Sequence, residues 1–332
     1  TSFFNNRLGF EFEYYKRNSK DLVGSVITNG VGGQGIKLGN IGDLDRDGYE
    51  VSLRTTNIQT DNFRWTSNFN YSFSESEITK WDSRDRIGDA VSRNGGNFVG
   101  YPAKALFSIP FAGLDSSGIP TFFGEDGEEI QELNLQDRND ILRFLKYEGP
   151  TEPTFFGGFN NTFSYKNIDL NVGVSYRGGN KIRLDDLYSV RLNDGSTRLY
   201  DDFSSLSGEL INRWSLPGDE NITNIPSILS EIAVQSLRSQ NLNPYDLYNK
   251  SDLRVADGDF IRLKNIKLTY RLPTKIIEKS PLKAASFSVS AHNLLLLYSD
   301  DKLNGVDPEF FQSGGVSLPL TKTYTFTVNL NF

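Results

Sequence analysis

Cysteine and methionine are absent from the 332 residues, and histidine occurs once, at His292. Without cysteine there is no disulfide, no thiolate metal site and no thiol chemistry. A single histidine is too few for a histidine-based metal centre. The missing methionine leaves the chain without an initiator residue and points to a processed or partial polypeptide. Its start, Thr1-Ser2-Phe3-Phe4-Asn5-Asn6-Arg7, has no signal-peptide pattern. Long apolar runs are missing as well. The longest, Leu294 to Leu297, is far short of the ~20 residues a membrane-crossing helix requires. Positive charge is not in excess: 35 Lys+Arg face 42 Asp+Glu for a net charge of -7. No nucleic-acid partner is expected from that balance.

Aromatic residues are abundant, with 24 Phe, 15 Tyr and 3 Trp. Yet mean hydropathy is only -0.43. A β-barrel with a polar lumen, long polar loops and aromatic girdles reconciles the two. Period-two alternation recurs along the chain. Phe10, Phe12 and Tyr14 alternate with Glu11 and Glu13; Trp65, Phe69, Tyr71 and Phe73 alternate with Thr66, Asn68, Asn70 and Ser72. Leu170, Val172, Val174 and Tyr176 alternate with Asn171, Gly173, Ser175 and Arg177. Strands are expected near 3–16, 46–58, 62–78, 99–113, 118–125, 154–165, 168–179, 257–272, 285–297 and 319–332. Ile261 and Leu263 are out of phase with Ile266 and Leu268, which predicts a β-bulge near Asn265.

The fold class expected is all-β, a transmembrane antiparallel β-barrel that uses residues 1–332 as one domain. Short turns alternate with long loops near 17–45, 79–97, 125–153, 180–256 and 298–318. Outer-membrane barrels put short turns in the periplasm and long loops outside. Counting back from a last strand that ends in the periplasm, this parity needs strand 118–125, although its pattern is weak. The moderate turn 273–284, which carries Pro273 and Pro281, also falls in the periplasm. Trp65, Tyr71, Tyr165, Tyr176, Tyr270 and Tyr324 suit the interfacial girdles.

The ending Tyr324-Thr325-Phe326-Thr327-Val328-Asn329-Leu330-Asn331-Phe332 resembles the assembly signal of outer-membrane barrels, with Tyr324, Phe326, Val328, Leu330 and Phe332 as its alternate positions. An ordinary final strand has the same pattern. Further segments resemble the SusC-like family of TonB-dependent transporters. They are Phe4-Asn5-Asn6-Arg7-Leu8, Asn40-Ile41-Gly42 leading to Gly48-Tyr49-Glu50-Val51, and Gly100-Tyr101-Pro102. Phe155-Phe156-Gly157-Gly158-Phe159-Asn160-Asn161, Asn212-Arg213-Trp214, Asp257-Gly258-Asp259-Phe260-Ile261-Arg262-Leu263-Lys264-Asn265-Ile266 and His292-Asn293-Leu294 continue the series. Asp47 stands where the family often has lysine.

The resemblance implies a 22-stranded barrel closed by a plug, of which this chain would supply about the last ten strands and no plug. It implies import of an oligosaccharide or oligopeptide with a SusD-like surface lipoprotein. It also implies energy from the TonB complex through the missing N-terminal region, in contact with outer-membrane lipid. A complete ten-stranded barrel, and a structural or export barrel without TonB coupling, are the alternatives.

No enzyme is expected. His292 shares a strand face with Ser290, but Ser286, Ser288 and Ser290 form a plain polar face without a nucleophile elbow. Asp43, Asp45, Asp47 and Gly48 look like the start of a calcium loop, yet Arg54 occupies the position where an EF-hand needs glutamate. Apart from that calcium option, no cofactor is implied. Glu125, Asp126, Glu128, Glu129, Glu132, Asp137 and Asp140 form an acidic stretch, read as a solvated loop or as contacts to a partner or divalent ion. In the longest loop, Trp214, Arg213, Tyr245 and Tyr248 are substrate- or partner-contact candidates, with packing anchors as the alternative reading of the aromatics.

Overall fold

The computed structural model describes residues 2–4, 6–27, 35–83, 85–188, 199, 206–278, 281–311 and 321–332. Its dominant element is a nine-stranded antiparallel sheet in strict sequence order. The strands are β1 (Ser2–Phe3), β2 (Leu8–Ile27), β3 (Ile36–Gln59), β4 (Phe63–Trp81) and β5 (Phe155–Tyr165). Then follow β6 (Ile168–Gly178), β7 (Phe260–Arg271), β8 (Ala284–Ser299) and β9 (Thr323–Asn331). The two ends of this meander differ sharply. At one end β3 and β4 are joined by three residues and β5 and β6 by Lys166-Asn167, where Lys166 takes a left-handed φ of 51°. At the other end lie the excursions 82–154 and 179–259 and the connection 300–322.

The register aligns the alternating residues of neighbouring strands. Phe10, Leu53, Phe69, Phe159, Val174 and Leu263 form one cross-strand row, and Trp65, Phe163, Leu170, Leu268, Val289 and Phe326 another. Such rows let side chains support each other across strands; Trp65 stacks on Phe163 at 5.6 Å and Tyr49 on Phe73 at 5.2 Å. This apolar face is uncovered: Phe12, Tyr14, Leu268, Phe287, Phe326 and Val328 are all exposed. The opposite face carries Glu11, Ser52, Asn70, Ser175 and Arg262. One polar group interrupts the apolar face. Asn161 Oδ1 accepts hydrogen bonds from Trp65 Nε1 at 2.9 Å and Ser67 Oγ at 2.7 Å, so these polar atoms satisfy one another.

The bulge expected near Asn265 is present. Gly173 pairs with Asn265 and Val174 with Leu263, leaving Lys264 as the extra residue. Other expectations need correction. The segments 99–113 and 118–125 are not wall strands, because β4 pairs directly with β5. Ala105–Ser108 is buried on both faces and pairs with Lys146–Pro150, while Phe111–Leu114, Pro120–Phe123 and Glu129–Ile130 form a separate three-stranded sheet. A wall strand has one solvated and one apolar side; Ala105, Leu106, Phe107 and Ile109 form a nearly continuous apolar run instead. The two segments leave the wall together, so the alternation of long and short connections survives their loss. The loop 17–45 is largely strand, since the ladder continues to Ile27 and resumes at Ile36, and residues 28–34 lie outside the described residues. Likewise β4 runs on to Trp81 and β8 to Ser299, shortening loops 79–97 and 298–318; residues 312–318 of the latter lie outside the described residues.

The excursions 82–154 and 179–259 fold into one cap. Val91, Ile109 and Phe122 from the first share a core with Leu187, Tyr188, Leu210, Val234, Tyr245, Leu247 and Tyr248 from the second. Backbone hydrogen bonds cross between them: Ile109 N–H donates to Lys250 O at 3.0 Å, and Ser227 N–H to Gly118 O at 2.9 Å. Two short strands, Lys181–Arg183 and Val255–Asp257, pair at the base of the second excursion.

Candidate functional site

Where the cap overhangs the polar face of the sheet, a cavity of about 1040 Å³ opens. Ser74, Phe156, Ser175, Arg177, Phe260, Arg262 and Lys264 of the wall face Arg93, Asn94, Lys104, Thr151 and Glu152 of the cap. Buried Arg262 donates to both carboxylate oxygens of Asp307 and to Glu309 Oε2, each at 2.6 Å. That bidentate grip holds the segment after β8 against the wall. Glu152 receives Lys104 at 2.7 Å and Arg46 at 3.8 Å. A second recess of about 450 Å³ beside it is acidic, with Asp45, Asp47, Glu75, Glu77 and Glu152 against Lys16 and Arg46.

The cap above the cavity is braced by buried arginine. Arg183 is 3% exposed and donates to Phe107 O at 2.6 Å and Ser251 O at 3.1 Å, tying the first excursion to the second. Burial pulls its guanidinium down to about 10, still charged at neutral pH. Arg254, equally buried, donates to Glu209 Oε2 at 2.5 Å and Asp185 O at 2.6 Å. Charges buried this deeply are costly to leave unpaired, so each arginine fixes the loops that surround it.

The sequence-derived site residues fall in different places. Tyr245 and Tyr248 are 3% and 2% exposed, in the cap core; Tyr245 Oη donates to Ser227 O at 2.8 Å. Their rings act as packing anchors, and Tyr245 stands edge-on to Tyr188 at 5.0 Å. Trp214 is half-buried over Gly118 and donates to Glu220 Oε2 at 2.9 Å. A Cβ at Gly118 would lie 2.5 Å from the indole, and its φ of 73° favours glycine for a second reason. Arg213 is exposed and donates to Leu210 O at 3.0 Å.

Tyr324, Phe326, Val328, Leu330 and Phe332 are all exposed on or just beyond β9. Among the described residues β9 pairs only with β8. Asp43, Asp45 and Asp47 do not form a calcium loop; they lie within extended β3. At ~3.3 Å per residue the strand spreads Asp43 to Asp47 over about 13 Å, whereas a calcium loop wraps its ligands round one ion. Asp43 and Asp45 each accept a hydrogen bond, from Asp21 N–H and Asn18 Nδ2, and Asp47 lies 3.8 Å from Lys16 Nζ. Among the described residues no group of three such ligands could hold a metal ion. In the acidic stretch, Glu125 pairs with Arg143 at 3.1 Å. Lys264 and Asn293, which line the cavity, stood in the sequence only within family-like strings and were not named as site candidates; the phase slip between Leu263 and Ile266 was a further signal at Lys264.

No protein-family model matches the chain. TonB-dependent receptor P26 of Formosa agariphila is 28% identical over 362 residues, covering 100% of this chain and 33% of the relative. TonB-dependent receptor P3 of the same organism is 27% identical, covering 92% and 29%. TonB-dependent receptor SusC of Bacteroides thetaiotaomicron is 24% identical, covering 99% and 30%. The solved RagAB peptide transporter matches with a TM-score of 0.74 at 22% identity, over 99% of this chain and 34% of that one. The chain thus spans about a third of the length of the relatives it matches. It is a distant homologue of TonB-dependent receptors of the SusC/RagA type and shares their β fold. Those relatives are receptors and transporters, not enzymes.

Proposed function

We propose that this chain is the C-terminal wall and cap of a TonB-dependent outer-membrane importer, drawing in an oligosaccharide or oligopeptide together with a SusD-like surface lipoprotein. The observation that carries it is the uncovered apolar face. A contiguous exposed apolar surface of this extent far exceeds the patches soluble monomers tolerate. Its height fits a membrane. On β4, Phe63, Trp65, Ser67, Phe69, Tyr71 and Phe73 share that face, and the next alternate residues are Glu75 and Glu77. At ~3.3 Å per residue and a tilt of ~40°, Phe63 to Phe73 climbs about 25 Å, the apolar band of an outer-membrane barrel. The same break occurs on the neighbouring strands, where Tyr14 gives way to Lys16 and Tyr49 to Asp47.

The strands beyond this break stand outside the lipid with the cap. The free sides of β2 and β9 would be paired by the rest of the barrel, since open edges are not stable in lipid. The alternating end of β9, closing on Phe332, would serve as the assembly signal. On the cap, Ile211, Ile222 and Ile232 are each more than 80% exposed and Leu216 is 68% exposed. These, with Arg213, form the surface a lipoprotein lid would cover. TonB would act through the plug outside this chain. The cavity between cap and polar face would then line the import route.

Spin labels at Val172, Leu268 and Val328 of the complete transporter in bilayers test the wall. A lipid-soluble relaxation agent should reach all three; protection of all three would reject the barrel. Uptake that persists unchanged without TonB would instead favour the export or structural reading.

A further inference from the structure

The cavity under the cap has an uneven charge. Arg262 is consumed by Asp307 and Glu309. Arg93 is held by Asp185. Glu152 has to serve two cations, Lys104 and Arg46. Arg177 has only a long contact to Glu309, at 3.9 Å. Lys264 has neither a carboxylate nor a hydrogen-bond partner among the described residues. The recess therefore keeps an excess of positive charge, and that excess lies on the wall side.

The backbone places Lys264 there. A regular strand would alternate residues 263, 264 and 265 between the faces. Here Lys264 is the inserted residue of a β-bulge, facing Asn293 and Leu294 of β8, and Asn293 takes a left-handed φ of 54°. The coupled irregularities bring Lys264 and Asn293 to one cavity wall. Bulges commonly re-aim a side chain in this way at binding sites. A half-enclosed cleft with low-dielectric walls strengthens the field of an unpaired cation. At about 1040 Å³ the cavity admits a few units of an oligomer rather than a single small ion.

We propose that this recess is a subsite for a carboxylate carried by the imported oligomer, with Lys264 as its charged ligand and Arg177 and Asn293 beside it. The proposal rests on the import reading above. The test uses the complete transporter with its lipoprotein and two matched probe pairs: oligogalacturonate with its methyl ester, and oligoglutamate with its methyl ester. Calorimetry should show one charged probe binding about tenfold more tightly than its ester, the scale of a charge-assisted contact. Which probe binds separates a glycan from a peptide source. Lys264→Gln should abolish the discrimination, and Lys264→Arg should retain it. Equal affinity for charged and neutral forms, no affinity for either pair, or discrimination undiminished in Lys264→Gln would overturn the subsite. Import is judged separately, by TonB-dependent uptake in cells. Uptake without charge discrimination defeats the subsite alone, whereas a working anion site without TonB-dependent uptake defeats the import reading alone.

Discussion

The wall and the cap use the same residue types in opposite ways. On the wall, Phe12, Phe326 and Tyr324 are exposed and the polar side chains occupy the opposite face. In the cap, Phe107, Phe122 and Tyr188 are at most 1% exposed, and the charges lie on the surface or in buried arginine brackets. On the proposed import reading, one chain thus serves two solvents. The wall's order comes from its hydrogen-bonded ladder, and lipid would cover its apolar side. The cap has a core of its own and needs only water around it. Disturbing the cap core should therefore leave the wall intact, and charging the wall should leave the cap intact.

The largest separation is expected from the cap core. Phe107 packs against Phe98, Tyr101 and Tyr147, with ring centroids 5.0–5.4 Å away, and its carbonyl accepts from Arg183. Phe107→Ala should cost about 3–5 kcal/mol of cap stability, the range for truncating a buried phenylalanine. Limited proteolysis should then open cap segments while the barrel remains resistant to heat and detergent. If barrel resistance fell together with the cap, the two regions would be one cooperative unit.

The reverse experiment places charge on the apolar face. Val174 lies in the row of Phe69 and Phe159, near the middle of the band. Val174→Arg should cost about 2–4 kcal/mol at the bilayer midplane and lower insertion of the complete protein. The same change at exposed Ile211 of the cap should stay within about 0.5 kcal/mol. Equal insertion of the two variants would mean that the apolar face does not meet lipid.

How much of this was readable from sequence follows from the same division. Wall strands announce themselves because a period of two survives wherever one face is apolar and the other polar. The signal stops at Tyr14 and Tyr49, where the apolar band ends, although the ladder continues past them. For that reason β2 and β3 looked shorter than they are. The cap was illegible as a unit because its core joins segments more than 100 residues apart, such as Phe122 and Tyr245. Part of it did leave a trace: Tyr245 and Tyr248 are three residues apart in the short helix Pro244–Asn249, a spacing that puts both rings on one face. The nearly continuous apolar run at Ala105 to Ile109 likewise fits a buried strand better than a wall strand. The cavity's wall left only slight traces: the phase slip beside Lys264 and the family-like strings that hold Lys264 and Asn293.

The mildest perturbation is pH. Burial raises the ionisation of Tyr188, Tyr245 and Tyr248 above the ordinary tyrosine range, and Tyr248 is pushed up to about 12. In the unfolded cap each would ionise near 10. Folded-state values above unfolded ones give stability that is complete below pH 10 and is lost as pH rises toward the folded values. For Tyr248 alone the loss is about 1.4 kcal/mol per pH unit between pH 10 and 12. Among the described residues the wall has no comparable buried tyrosine core; Tyr14 and Tyr324 are exposed. Protease sensitivity of the cap should therefore rise above pH 10, with barrel resistance unchanged. Tyr248→Phe keeps the ring and removes the titrating hydroxyl, for which no hydrogen-bond partner is found among the described residues. That variant should open at higher pH than the parent. An unshifted midpoint would show that alkali opens the cap through other groups, and loss of barrel and cap at the same pH would show that their separate solvents do not make them separately stable.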